Sequence, residues 1–177
     1  MFQMLQEVAR GRNIQNVLAL GLASGATSTA ALLAGLLENE NAPTVFCLTH
    51  ARRWPGWRER RHEPAIRWYQ MAPAGSDPGR WLIEAIATIR QDADAKQFSL
   101  LFVAGSGVLR ELDLLPLLSG DLAVAHAVVL EDLGARCNYD LGRHLGANGD
   151  YQLLAHNPSL GAGYSIFARP QASVSLS

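Results

Sequence analysis

The sequence predicts an α/β protein with a Rossmann-like, doubly wound, mostly parallel seven-stranded sheet and a C-terminal antiparallel hairpin. Three observations predict this fold. Short apolar and β-branched runs alternate with helix-periodic segments along the chain, as in proteins with parallel sheets. A buried strand, a glycine turn and a helix follow one another over residues 16–37. Two strand-like runs, 151–155 and 164–168, flank a turn-rich stretch that is typical of a hairpin.

The first half of the chain predicts two helices and three strands. Apolar residues at helical intervals begin the chain, and Gly11 provides an end for that helix. The predicted elements are a helix over 2–9, a strand over 17–20, a helix over 30–37, a strand over 44–49 and a strand over 66–70. The continuous apolar character of the first two strands is typical of central parallel strands, which are covered on both faces.

The second half predicts a similar alternation, closed by the hairpin. The predicted elements are an amphipathic helix over 79–93, a strand over 98–103, a helix over 108–118, a strand over 123–130 and a short helix around 141–145. Pro116 is expected near the end of its helix, and His126 is expected to be a core histidine within an apolar strand.

The composition describes a globular protein with a sizeable core. Of the 177 residues, 49% are hydrophobic and 18% are charged, which excludes the disordered class, and no apolar run is long enough to span a bilayer. We expect one domain over 1–177, with an N-terminal helix within 1–11 and a frayed tail at 171–177. The N-terminal residues lack signal-peptide features, and Cys47 and Cys137 give neither a disulfide framework nor a metal spacing. The expected location is cytoplasmic, with no membrane partner.

Gly21 and Gly25 mark the turn after the first strand. Glycine permits a sharp turn and the close approach of a ligand, and the following helix directs its free N–H groups toward the turn. No Gly-Lys-Ser/Thr follows, so the turn is not a phosphate-binding P-loop, and a plain turn without a ligand is the alternative. Ligands of such sheets bind beyond the carboxyl ends of the strands. The loops that this rule selects are 21–27, 49–53, 104–107 and 131–134.

The segment from Arg52 to Arg61 has the most unusual local composition. It interleaves arginines with Trp54 and Trp57 around a Pro-Gly break. Such a segment can line a protein contact, because Trp and Arg are enriched at interfaces, or it can be a solvated loop in which arginine stems cover the tryptophans. It can also bind phosphates and stack on bases. The net charge of −1 weighs against a nucleic-acid partner without excluding it.

The acidic pair Glu131-Asp132 follows the fifth predicted strand. As a pair, these residues can bind a cation or act as the general base for a hydroxyl nucleophile. The alternative is a helix N-cap with a neighbouring surface acid.

Four stretches carry a family resemblance: Leu18–Ser28, Phe98–Ser106, Val128–Asp132 and Gly163–Arg169. Together with the order of the elements over nearly the whole chain, they resemble the class I S-adenosylmethionine-dependent methyltransferases, most closely the small O-methyltransferase-like branch. The resemblance implies S-adenosylmethionine as the cofactor, no metal, and Glu131 and Asp132 as catalytic residues at the substrate mouth. The residues that it implies for cofactor binding are Gly21, Ser24, Gly25, Thr49, His50, Gly105 and Ser106.

Three positions depart from the family's pattern of acids. The position two places before the first glycine is Ala19, and the end of the second strand is Leu48 or Thr49. The position after the fourth strand is Ala104. A threonine cannot reproduce the charge-assisted contact of a carboxylate with two ribose hydroxyls, and each such contact contributes about 1.5–3 kcal/mol. The cofactor pocket is therefore expected to be either rebuilt or abandoned.

Two functional hypotheses follow. The first is an enzyme that transfers a methyl group to a small molecule, for example to a hydroxyl oxygen. The second is a catalytically inactive methyltransferase-fold protein that binds a protein partner, or a further copy of itself, through residues 52–61.

Overall fold

The computed structural model describes residues 2–22, 27–49, 66–70, 77–92, 97–105, 107–159 and 162–170. The helices are α1 (Phe2–Arg10), α2 (Thr27–Leu37), α3 (Pro78–Asp92), α4 (Leu115–Leu122) and α5 (Arg136–Ala147). The strands are β1 (Asn16–Leu20), β2 (Thr44–Thr49), β3 (Ile66–Gln70), β4 (Leu100–Ala104), β5 (Ala127–Glu131), β6 (Gln152–Asn157) and β7 (Tyr164–Ala168). None of these helices has the length and apolar character needed to cross a membrane.

The seven strands form one sheet in the order β3-β2-β1-β4-β5-β7-β6. The first five strands in this order are parallel to one another. β7 runs antiparallel between β5 and β6. The chain leaves β1 toward β2 on one side and returns to β4 on the other, so the switch point lies between β1 and β4. A crevice outside the carboxyl ends of the strands is expected at that point.

Two apolar layers cover the sheet. Successive residues of a strand point to opposite faces, so Leu18 joins one layer while Val17 and Ala19 join the other. Helices α3, α4 and α5 pack on the face of Leu18, and helices α1 and α2 pack on the opposite face. Because both faces are covered, the inner strands read as continuous apolar runs.

Asn39 fixes the end of α2 to the chain between α1 and β1. Its side-chain Nδ2 donates hydrogen bonds to the carbonyl oxygens of Ala9, Gly11 and Ile14 at 3.0, 2.9 and 3.2 Å. Asn39 is buried, so these bonds satisfy a polar group that would otherwise be costly in the core. They hold α2 in place, and the first turn of α2 reaches the carboxyl edge of the sheet.

The structure confirms the predicted fold class, including the antiparallel hairpin at β6 and β7. All the helices and strands predicted in the first half of the chain are present. β4 and β5 begin later than predicted, at Leu100 and Ala127. α5 is longer than the short helix predicted around 141–145, because Gly142 and Gly146 weaken its helical signal in the sequence.

Two predictions in the second half were wrong. Instead of a helix over 108–118, a 3₁₀ turn at Gly107–Leu109 is followed by α4, with Pro116 in its first turn. Proline suits a first turn because no intrahelical bond needs its missing N–H, and Asp113 Oδ1 accepts the N–H of Leu115 there at 3.2 Å. His126 is not a core residue: it precedes β5, and its side chain is exposed.

Candidate active site

The carboxyl ends of four parallel strands, β1, β2, β4 and β5, lie at one edge of the sheet. Leu20 of β1 is in register with Leu48 of β2 and Val103 of β4. One strand further, Glu131 of β5 is in register with Ala104 of β4. The loops selected from the sequence therefore leave the sheet at the same edge, where ligands of such sheets bind.

Gly21 makes the predicted turn after β1. Its φ of 75° lies in the left-handed region that favours glycine. The N–H of Gly21 donates to the carbonyl of Leu48 at 2.8 Å, and Oγ1 of the buried Thr49 donates to the carbonyl of Leu22 at 3.0 Å. These bonds tie the turn to the end of β2, and they use the hydroxyl hydrogen of Thr49 within the protein.

Gly105 leaves β4 in close contact with the start of α5. Its N–H donates to the carbonyl of Glu131 at 2.9 Å, and a Cβ at this position would lie 2.3 Å from the Cβ of Ala135. Asn138 of α5 donates from Nδ2 to the carbonyls of Glu131 and Val103. The approach of α5 thus gives a packing reason for glycine at 105, and Asn138 links the ends of β4 and β5.

Glu131 and Asp132 have different partners although they are neighbours in sequence. Ser28 Oγ, in the first turn of α2, donates to Glu131 Oε1 at 2.5 Å. Arg110 Nη1 donates to Asp132 Oδ2 at 2.7 Å. The φ of Asp132 is 65°, a left-handed conformation that aspartate adopts more readily than most residues. Among the described residues, Glu131 has no cationic side chain within ion-pair distance, whereas Asp132 is neutralised by Arg110.

Burial raises the pKa of Glu131 above its usual range. The negative charge of Asp132 also raises this pKa, while the hydrogen bond from Ser28 favours the carboxylate and lowers it. Among the described residues, no group of three His, Cys, Asp or Glu side chains is placed to hold a metal ion. The edge therefore presents a partly buried carboxylate of raised basicity.

Comparisons with known proteins identify the fold. No protein-family profile and no curated protein matches the chain. A solved methyltransferase from Podospora anserina with bound SAH is 12% identical with a TM-score of 0.56, over 96% of this chain and 78% of that chain. A methyltransferase from Geobacter sulfurreducens is 14% identical with a TM-score of 0.52, over 95% of this chain and 77% of that chain. The chain has the class I methyltransferase fold.

A third structure with this methyltransferase fold belongs to a longer chain. It is the MycE methyltransferase of the mycinamycin biosynthetic pathway, solved with Mg and SAH. The identity is 10% and the TM-score is 0.51, over 96% of this chain but only 49% of MycE. The similarity in all three cases is one of fold.

Within the methyltransferase fold, the described part of the predicted site lies at one edge of the sheet. Its members are Gly21, Thr49, Gly105, Glu131 and Asp132. Other predicted residues lie outside the described residues, namely Ser24, Gly25, His50, Ser106, the Arg/Trp segment 52–61 and the tail 171–177. Their roles stay predictions, as do the catalytic and cofactor roles of the described members, a homo-oligomer and a protein partner.

Sequence reasoning missed three polar residues at this edge: Ser28, Thr29 and Asn138. Thr29, in the first turn of α2, is fully buried, and its Oγ1 has no hydrogen-bond partner among the described residues. The available signal was the run Thr27-Ser28-Thr29 at a helix start. Hydroxyl residues are favoured there as helix caps, so a functional role of the same residues is not apparent from the sequence. Asn138 gave no signal, since its role depends on the approach of α5 to β4 and β5.

Proposed function

We propose that the protein is an S-adenosylmethionine-dependent methyltransferase that acts on a small molecule, with a hydroxyl oxygen as the methyl acceptor. The fold and the bound SAH of two fold neighbours support the cofactor. The observation that carries the proposal is the position of Glu131. This carboxylate lies at the end of β5, hydrogen-bonded to the first turn of α2, with no cationic partner among the described residues.

The described residues fit one end of this cofactor. The Gly21 turn and the first turn of α2 supply backbone groups. The buried Thr29 hydroxyl, which has no hydrogen-bond partner among the described residues, is a polar atom of the kind that a ligand satisfies. These groups would hold the methionine end. The ribose end would rely on other contacts, because β2 ends in Thr49 instead of a carboxylate. When bound, S-adenosylmethionine supplies a methyl group carried on its sulfonium sulfur.

The chain's own contribution to the reaction is proton transfer by Glu131. Ser28 engages Oε1, which leaves Oε2 as the oxygen that can accept the proton of the acceptor hydroxyl. Burial makes Glu131 a stronger base than an exposed glutamate, and general bases work best when their pKa lies near the working pH. Ser28 holds the carboxylate in one orientation, and its hydrogen bond opposes the rise of the pKa of Glu131.

Calorimetric titration with S-adenosylmethionine and SAH tests the proposal, with ATP as the control ligand. We expect saturable heats with the first two ligands and none with ATP. Absence of heat with either ligand at millimolar concentration would remove the proposal. Release of SAH in the presence of a panel of phenols and catechols then identifies the acceptor.

A matched pair of variants tests the base. Glu131→Gln should reduce turnover by about 10²–10⁴-fold, the usual contribution of a general base, with the affinity for SAH unchanged. Glu84→Gln removes a carboxylate that is exposed on α3 and pairs with Arg80, so its turnover should equal that of the wild type. Equal turnover of wild type and Glu131→Gln would show that Glu131 is not the base.

A further inference from the structure

A groove separates α5 from the C-terminal hairpin. Its volume is about 440 Å³, within the range of small-molecule sites. Phe167 and Tyr151 are buried in it, and Tyr139 and Leu153 stand at its sides. The groove lies behind the ends of β4 and β5, since Asn138 both lines it and donates to the carbonyls of those strands.

The groove concentrates exposed apolar surface. Tyr139 is 59% exposed and Leu153 is 50% exposed, although both are large apolar side chains. Two features of the chain leave this space open. α5 places Gly142 and Gly146 along the groove, and β6 is the last strand of the sheet. Contiguous apolar surface of this kind commonly marks a binding site.

The groove carries a positive charge that has no carboxylate partner among the described residues. Arg143 lines it, with its guanidinium carbon 5.9 Å from the centre of the Tyr139 ring. No described carboxylate lies within 4.0 Å of Arg143, because Asp140 pairs with Arg136 at 3.6 Å instead. None of the residues that line the groove is an aspartate or a glutamate.

The lining residues also include a hydrogen-bonded polar pair. His156 Nδ1 lies 2.8 Å from Ser165 Oγ, across the two strands of the hairpin. An apolar floor, an aromatic wall and the guanidinium of Arg143, which has no carboxylate partner among the described residues, form a site for a molecule with an apolar body and one negative group. Arginine offers a planar, bidentate match to a carboxylate.

We propose that this groove binds a small amphipathic carboxylate, with an aromatic or aliphatic body between α5 and the hairpin and its carboxylate on Arg143. Neither Glu131 nor Asp132 lines the groove, although Asn138, which lines it, donates to the carbonyl of Glu131. The proposal does not depend on methyl transfer.

Titration of the labelled protein with 2-naphthoate, followed by backbone amide NMR, tests the proposal. We expect saturable shifts at Gly142, Arg143, Gly146, Leu153 and His156. The neutral isostere 2-naphthamide should bind more weakly at the same residues. Arg143→Gln should weaken naphthoate binding by about tenfold, which is the lower end of the contribution of a hydrogen bond to a charged group, and leave naphthamide binding unchanged.

A second variant tests occupancy of the groove. A Cβ at Gly146, which lines the groove, meets no atom within 4 Å. Gly146→Leu adds a side chain at this position and should abolish the binding of both probes. Two control variants match these changes outside the groove. Gly120→Leu adds the same side chain to α4, where a Cβ also meets no atom within 4 Å, and Arg136→Gln removes the paired arginine of α5. Both controls should bind the probes like the wild type.

Three outcomes would overturn the proposal. The first is the absence of saturable shifts at groove residues with millimolar naphthoate. The second is equal weakening of naphthoate binding by Arg136→Gln and Arg143→Gln, which would show that the loss of either positive charge has the same effect. The third is a stable dimer in sedimentation velocity that Gly146→Leu dissociates, because the groove would then be covered by a second copy of the chain.

Discussion

Glu131 is held in surroundings that resist its ionisation. Its side chain is partly buried, its neighbour in sequence is the carboxylate of Asp132, and the hydroxyl of Ser28 donates a hydrogen bond to it. A buried carboxylate without a cation costs free energy, and its pKa rises in response. The protein therefore keeps at this edge a group that is unfavourable for stability, a common property of functional residues.

Glu131→Gln should change the pH dependence of stability. The pKa of Glu131 is raised on folding, so its contribution to the free energy of unfolding is fully present below the usual glutamate pKa. This contribution is lost as the pH rises through the raised pKa. The free energy of unfolding of the variant, minus that of the wild type, should therefore increase between pH 4 and pH 8. Urea denaturation at several pH values measures this difference.

Two further variants calibrate that measurement. Glu84→Gln removes an exposed carboxylate of α3 and is the control for the loss of one negative charge. Ser28→Ala removes the hydrogen bond that lowers the pKa of Glu131, so the loss of stability should move to higher pH. A flat difference for Glu131→Gln would mean that Glu131 ionises as it does in the unfolded chain.

At the scale of elements, α1 and α2 approach each other at their backbones. A Cβ at Gly35 of α2 would lie 2.3 Å from the carbonyl oxygen of Gln6 and 2.8 Å from the Cβ of Ala9, both in α1. The hydrogen bonds from Asn39, which follows α2, to the carbonyls of Ala9 and Gly11 join the ends of the same two helices. This close pair covers one face of the sheet and fixes the helix that carries Ser28.

Gly35→Ala should destabilise the protein by about 1–3 kcal/mol, the usual cost of overpacking a core. The clash involves backbone atoms, so a small side-chain movement cannot relieve it. Gly120→Ala is the matched control, because it lies in α4 with open space around it and should gain up to about 1 kcal/mol from helix propensity. Urea titration measures the free energy of unfolding of both variants and so compares their stabilities. Equal stability of both variants would mean that α1 moves away from α2 at little cost.

At the scale of the whole molecule, each layer of the core contains one thiol. Cys47 lies in the layer of α1 and α2, and Cys137 lies in the layer of α3, α4 and α5. Both are buried, and burial raises the pKa of Cys47 to about 12 and that of Cys137 to about 11. The reactive thiolate is therefore scarce in the folded state.

Both thiols should react with iodoacetamide at pH 8 only through unfolding. We expect the two modified peptides to appear together in mass spectra as urea is increased, because the layers share one sheet and should open cooperatively. Protein in 8 M urea provides the reference rate. Modification of Cys137 in native buffer at that reference rate would show that its layer opens independently.

Much of the fold could be predicted from the sequence because the parallel strands are buried on both faces. The runs at 17–20 and 44–49 give a strong signal for that reason. The signal failed where tertiary contacts decide. The apolar spacing after Val108 predicts one helix, but a new helix begins at Leu115, with Pro116 in its first turn. Gly142 and Gly146 weaken the helical signal of α5, so its length could not be predicted. The antiparallel hairpin could be predicted, but the position of β7 between β5 and β6 could not, because local pattern does not show which strands pair.

The candidate site could be predicted only as a set of loops. The rule for parallel sheets placed Gly21, Thr49, Gly105 and Glu131 at one edge, as the structure has them. The partners of the side chains could not be predicted, because Ser28 and Glu131 are 103 residues apart in the chain. The groove beside α5 was also beyond sequence reasoning, since its walls come from a helix and a hairpin with no shared motif.

The place of β7 has a consequence for the chain during its synthesis. β7 lies between β5 and β6, although β6 precedes it in the sequence. Residues 152–157 leave the ribosome before residues 164–168, so β6 has no sheet neighbour until translation has passed Ala168. Until then the nascent polypeptide exposes the open side of β5 together with Leu153 and Leu154, and a chaperone bound to this hairpin would protect it from pairing with other chains.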